Sequence, residues 1–144
     1  MVIAVDFDGT IVEHRYPRIG EEIPFAIDTL KLLLKDQHRL ILWTVREGEL
    51  LDEAVEWCRQ RGVEFYAINR DFPEEVGGER GFSRKVKADL FIDDRSLGGL
   101  PGWGVIYQMV SSRRHLKPIP SDYRSEAKPR KLTLKERLSG WSNK

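Results

Sequence analysis

Cysteine occurs once in the 144-residue chain, at Cys58. An intramolecular disulfide is thereby excluded, which fits a reducing compartment. Cys58 stands in the helical-looking stretch EAVEWCRQRG beside Val55 and Trp57. It reads as buried filler rather than as a nucleophile. No apolar run approaches the roughly 20 residues that span a bilayer. Carboxylates in the opening MVIAVDFDG stand where a secretory signal needs a basic start and a longer apolar stretch. The expectation is a cytoplasmic protein. Internal repeats are absent, and His38 and His115 suggest no ligand set. Net charge is only +1, but it is unevenly spread. Residues 113–144 hold ten Lys/Arg against three Asp/Glu, while residues 1–112 hold fourteen against twenty.

What is present suits one globular domain, with 40% apolar and 33% charged residues. Residues 2–6 (VIAVD) are apolar on both faces, as in a parallel strand buried on both sides. Pro24 opens a helix whose stripe runs Phe25, Ile27, Leu30, Leu33 and Leu34. Residues 39–44 (RLILWT) form a second strand. Glu47 to Arg61 forms a second helix, with acids in its first turn and Gly62 at its end. Residues 63–68, 88–93 and 103–107 predict three more strands, with a polar loop from Asn69 to Arg84. Such alternation implies parallel βαβ units, hence an α/β fold with an open, doubly wound, Rossmann-like sheet. Residues 1–112 make this core, and residues 113–144 a basic C-terminal tail, loosely ordered or docked on the acidic body.

Ligands of open α/β sheets sit beyond the carboxyl ends of the strands. There the first strand runs into Asp6 and Asp8, the second into Thr44 and the fourth into Asp93 and Asp94. Four carboxylates on one edge repel one another unless a cation sits among them. A hard divalent ion, Mg²⁺, is the expected cofactor. In the extended DFDGT segment, Asp6 and Asp8 point the same way, Phe7 points back into the core, and Gly9 permits a turn. A carboxylate beside a metal can attack phosphorus, and a second carboxyl can carry a proton. Thr44 offers a hydroxyl to a phosphate oxygen. Lys85 is placed to enter from the loop and neutralise developing charge, with Lys87 as a rival.

These segments, DFDGTIV (6–12), LWTVR (42–46), Lys85 and FIDDR (91–95), resemble in order the four motifs of the haloacid dehalogenase superfamily of phosphohydrolases. The resemblance covers roughly residues 1–110. It implies a hydrolase in which Asp6 becomes an aspartyl-phosphate and Asp8 serves as general acid and base. It further implies that Thr44, Lys85 and Gly9 hold the phosphoryl group. Asp6, Asp8 (through its carbonyl), Asp93 and Asp94 bind or position Mg²⁺, the direct ligand among the last two being open. Most members carry a cap domain after the first motif or between the third strand and the lysine. Here the gaps, Gly9 to Pro24 and Asn69 to Arg84, are too short for a domain. The chain looks like a capless member with an open site.

Other residues have two readings. Thr44 can also cap the following helix. Arg46 and Arg95 either grip a substrate anion or form surface salt bridges. His14 reads as solvated, and Tyr16, Phe72 and Phe82 stack on a ring or pack under loops. The tail, with Tyr123 and Trp141, either binds nucleic acid or another polyanion or docks on the body. The partners expected are a phosphorylated small molecule or macromolecule, no membrane, and a second copy of the chain as a possible lid. Competing functions are a phosphotransferase to an acceptor other than water and a polyanion-binding protein with a vestigial site. A phospho-receiver domain is disfavoured, since its phosphorylated Asp follows the third strand, and here that strand ends in YAINR.

Overall fold

The structure, a computed structural model, describes residues 1–75 and 85–112. Apolar, β-branched runs build four strands: β1 (Val2–Val5), β2 (Arg39–Leu42), β3 (Ala67–Ile68) and β4 (Leu90–Ile92). They pair in the order β3-β2-β1-β4, all parallel. Three helices accompany them: α1 (Ala26–Lys35), α2 (Gly48–Gln60) and α3 (Trp103–Ser112). The α/β class and the parallel sheet are as the sequence predicts. Among the described residues no helix is long and apolar enough to cross a membrane.

Strand alternation sorts the sheet into two faces. Ile3, Val5, Leu40, Leu42 and Ile92 share one core with α1 (Ile27, Leu30, Leu33), α2 (Ala54, Cys58) and α3 (Ile106, Val110). Successive right-handed crossovers in one direction, β1 to β2 to β3, place α1 and α2 on the same side. Contact between α1 and α3 adds the third helix there. The opposite face carries the in-register row Ala67, Ile41, Ala4, Phe91. Ala67, Ile41 and Ala4 are buried, although no described helix lies over them. The connection from β3 to β4 must pass between opposite edges of the sheet. Its described end has Val86 buried and the Lys85 ammonium 4.3 Å from the Phe91 ring. A doubly wound sheet has helices on both faces, and the described residues have them on one.

The predicted fifth strand at 103–107 is instead the first half of α3. Trp103, Ile106 and Val110 are buried at helical spacing, and the helix starts as the Val105 and Ile106 N–H groups donate to Gly102 O. A window cut at Tyr107 hides that period. The third strand shrinks to two residues, Ala67 and Ile68, which pair with Ile41 and Leu42 of β2. Helix α1 begins two residues after Pro24, with Phe25 as a left-handed N-cap at φ 67°. Gly62, at φ 80°, ends α2 as expected, its N–H donating to Arg59 O and that of Val63 to Cys58 O. Cys58 is buried, and burial pushes its thiol up to about 12, so it is unfit as a nucleophile. The basic tail at 113–144 and Phe82 lie outside the described residues.

Candidate active site

Strand β1 ends at Val5, and the Asp6 N–H donates to Ile92 O at 3.0 Å, which ties the strand end to β4. The chain then folds tightly. Phe7 O accepts from the N–H groups of Thr10, Ile11 and Val12, while the Gly9 N–H donates to Val12 O at 2.7 Å. Gly9 sits at φ 87°. A Cβ there would collide with Asp94, 2.8 Å from its Cγ. Gly9 was expected to hold phosphate, but its N–H is engaged. Its contribution is the space that lets Asp94 approach.

Asp6, Asp93 and Asp94 converge, each offering an oxygen within 4.8 Å of the others. Thr10, fully buried, links them. Its hydroxyl donates to Asp6 Oδ2 (3.4 Å) and accepts from the Asp94 N–H (3.0 Å), while its carbonyl accepts from Trp103 Nε1 (3.0 Å). Asp93 Oδ1 accepts from the Arg95 N–H at 2.8 Å. Asp94 Oδ1 is buried without a hydrogen-bond partner among the described residues, a costly state for a carboxylate oxygen. Burial, reinforced by the charges of Asp93, Asp94 and Asp8, pushes the Asp6 carboxyl up from its ordinary 3.8 to about 6, against a lowering hydrogen bond from the Phe7 backbone. An unpartnered oxygen, crowded acids and a glycine-sized gap fit a hard divalent cation with oxygen ligands.

Asp8 departs from the expected cluster. Its carboxylate accepts two hydrogen bonds from Arg46, Nε to Oδ2 at 2.7 Å and Nη2 to Oδ1 at 2.8 Å. Arg46 is fully buried and Asp8 is 5% exposed. Arg46 was expected on the surface or gripping a substrate, and is neither. The side chain of Asp8 is therefore committed to Arg46 rather than to the Asp6, Asp93 and Asp94 trio, although it still lines the cleft.

That cleft, of about 710 Å³, opens over Asp6, Asp8 and Asp93 and is walled by Tyr16, Trp43 and Thr44. Its outer wall is a flap, residues 11–23, closed by the Glu13 N–H on Glu21 O and the Ile23 N–H on Ile11 O. His14 and Tyr16 line the cleft from this flap, and Arg95 from the far side. Thr44 does not cap α2, whose N-cap is Glu47. The Thr44 hydroxyl accepts from the Arg46 N–H at 3.3 Å, and its backbone N–H donates to Asn69 Oδ1 at 2.8 Å. Its hydroxyl hydrogen thus remains for a ligand.

The structure does not bring Lys85 to the cleft. Asp89 is pinned at the start of β1, where its N–H donates to Val2 O and the Val2 N–H donates to its carboxylate. Lys85 does not line the cleft, and its ammonium lies against the Phe91 ring. Lys87 pairs with Asp71, which follows β3, at 3.9 Å, and its N–H donates to Asp71 Oδ1 at 2.7 Å. Phe72 is exposed and away from the cleft. Sequence reasoning gave no role to Thr10, Asn69 or Trp43. The only signal for Thr10 was its place in DFDGT.

Gly9→Ala is expected to destabilise the fold by roughly 1–3 kcal/mol, since a side chain must adopt a left-handed backbone and displace Asp94. Denaturant unfolding measures this. A cost near zero would place Asp94 elsewhere.

No protein-family model matches the chain, and no curated protein matches it. It is similar to the solved structure of a conserved protein from Bacteroides thetaiotaomicron. The identity is 73%, the match covers 79% of this chain and 92% of that one, and the TM-score is 0.73. At that identity and coverage, this chain belongs to the family of that conserved protein.

Proposed function

We propose that the protein is a Mg²⁺-dependent phosphomonoester hydrolase with a haloacid dehalogenase-like, capless core, working through an aspartyl-phosphate on Asp6. The convergence of Asp6, Asp93 and Asp94 at the carboxyl ends of β1 and β4, with Asp94 Oδ1 unpartnered, carries this proposal. Oxygens of these three residues would hold the ion. When bound, Mg²⁺ offsets negative charge on the phosphate and on the nucleophile. Asp6 attacks phosphorus and the ester P–O bond breaks. Asp8 gives a proton to the departing oxygen and then takes one from the water that attacks the acyl-phosphate, which frees Asp6 and inorganic phosphate. Thr44 donates its hydroxyl hydrogen to a phosphoryl oxygen, and Arg95 at the cleft wall supplies positive charge.

The 710 Å³ cleft exceeds what a phosphate fills, which suits an ester with a substantial organic part. Phosphate release from an aryl phosphate tests the proposal. Release is expected with Mg²⁺ and is expected to disappear on chelation and return when Mg²⁺ is restored. Undiminished release in chelator contradicts it.

A further inference from the structure

Arg46 is the most heavily bonded buried cation among the described residues. Besides the two bonds to Asp8, its Nη1 donates to Pro17 O and its Nη2 to Arg18 O, both at 3.0 Å. Its guanidinium lies over two rings, 5.1 Å from that of Phe7 and 5.4 Å from that of Tyr16. Its backbone N–H donates to the Thr44 hydroxyl. One side chain therefore touches the loop bearing Asp8 and the tip of the flap. Its backbone touches the residue assigned to the phosphate.

We infer that Arg46 is a positioning residue, which fixes the Asp8 carboxyl in the cleft and makes its orientation depend on the flap. This rests on the hydrolase proposal, in which Asp8 moves the protons. A guanidinium fork binding both carboxylate oxygens sets the plane of the carboxyl as well as its distance. A fully buried guanidinium is also intolerant of lost partners. If the flap withdraws the Pro17 and Arg18 carbonyls, Arg46 keeps only Asp8, and the pair is free to turn. Flap and Asp8 thus move together. Direct binding of substrate by Arg46 is excluded by its zero exposure and by the four N–H donors already engaged. A lysine keeps the charge but cannot reproduce a planar fork plus two carbonyl bonds.

The test is the dependence of kcat/KM on the leaving group. An alkyl phosphate needs its departing oxygen protonated, whereas 4-nitrophenyl phosphate does not. Arg46→Lys is expected to lower kcat/KM about 100-fold for the alkyl ester and less than about tenfold for the aryl ester. Asp8→Asn is expected to shift the ratio the same way, and Arg46→Lys added to Asp8→Asn to change it no further. Hydrogen exchange at the Glu13 and Ile23 amides is expected to quicken in Arg46→Lys. Should Arg46→Lys not fold, Tyr16→Ala, which removes one ring from Arg46, is expected to move the ratio in the same direction by a smaller factor. A ratio unchanged in the folded variant, with both esters equally slowed, overturns the inference and leaves the hydrolase standing. A wild type that releases phosphate from neither ester overturns both.

Discussion

Asp6→Asn is expected to lower Mg²⁺-dependent phosphate release by more than about 1000-fold, because removing a covalent nucleophile leaves only binding and electrostatic contributions. The substitution keeps the shape of the side chain and its place between Thr10 and Ile92. Loss of activity with an unchanged fold would therefore belong to the missing carboxylate. The same variant has an opposite effect on metal-free stability. The Asp6 carboxyl is raised from 3.8 to about 6 in the fold, so the fold favours its protonated form. The stability this contributes is fully present below about pH 3.8 and is lost as the pH rises through about 6. Asn has no proton to lose. In chelator, Asp6→Asn should melt above the wild type at pH 7, and that gap should close toward pH 4. A gap independent of pH would mean that Asp6 is neither desolvated by burial nor crowded by the other acids.

Arg46→Met is expected to destabilise the protein by roughly 3–5 kcal/mol, since it leaves the buried Asp8 carboxylate unpaired. That is a large share of the 5–15 kcal/mol typical of a domain. Asp8→Leu should cost a similar amount by stranding Arg46 beside the Pro17 and Arg18 carbonyls. The double variant should lose distinctly less than the sum, because neither charge is then left alone. Denaturant midpoints of the four proteins close this cycle. Additive losses would show that the bidentate geometry contributes nothing beyond packing.

The legible part of this molecule is the part written locally. Asp6, Asp93 and Asp94 could be placed together because each follows an apolar run that can only be a buried strand, and parallel strands align their ends. The strands β1, β2 and β4 and the helices α1 and α2 follow from the same periodicities. Other features depend on distant partners. Arg46 is two residues from Thr44 and nothing around it marks it as buried; its acceptors lie 28 to 38 residues away. Asp8 looked like a fourth member of the acidic cluster for the same reason. Val105, Ile106 and Tyr107 at the start of α3 are strand-like residues, while the turn that identifies the helix lies further on, at Val110. The spacing of Lys85 to Asp93 does not fix where its side chain points, and in the structure it lies against the Phe91 ring and does not line the cleft. The haloacid dehalogenase resemblance rests on the motifs quoted above, whereas the family membership rests on the Bacteroides thetaiotaomicron protein.

The central claim is that Asp6 carries the phosphoryl group. Its most direct test is mass spectrometry of the peptide containing Asp6 after acid quenching the Mg²⁺-loaded protein during turnover of an aryl phosphate. The account predicts a peptide heavier by one phosphoryl group, with fragmentation placing it on Asp6, and loss of the adduct in Asp6→Asn. Sustained turnover with an unmodified Asp6, or an adduct on another residue, would contradict it.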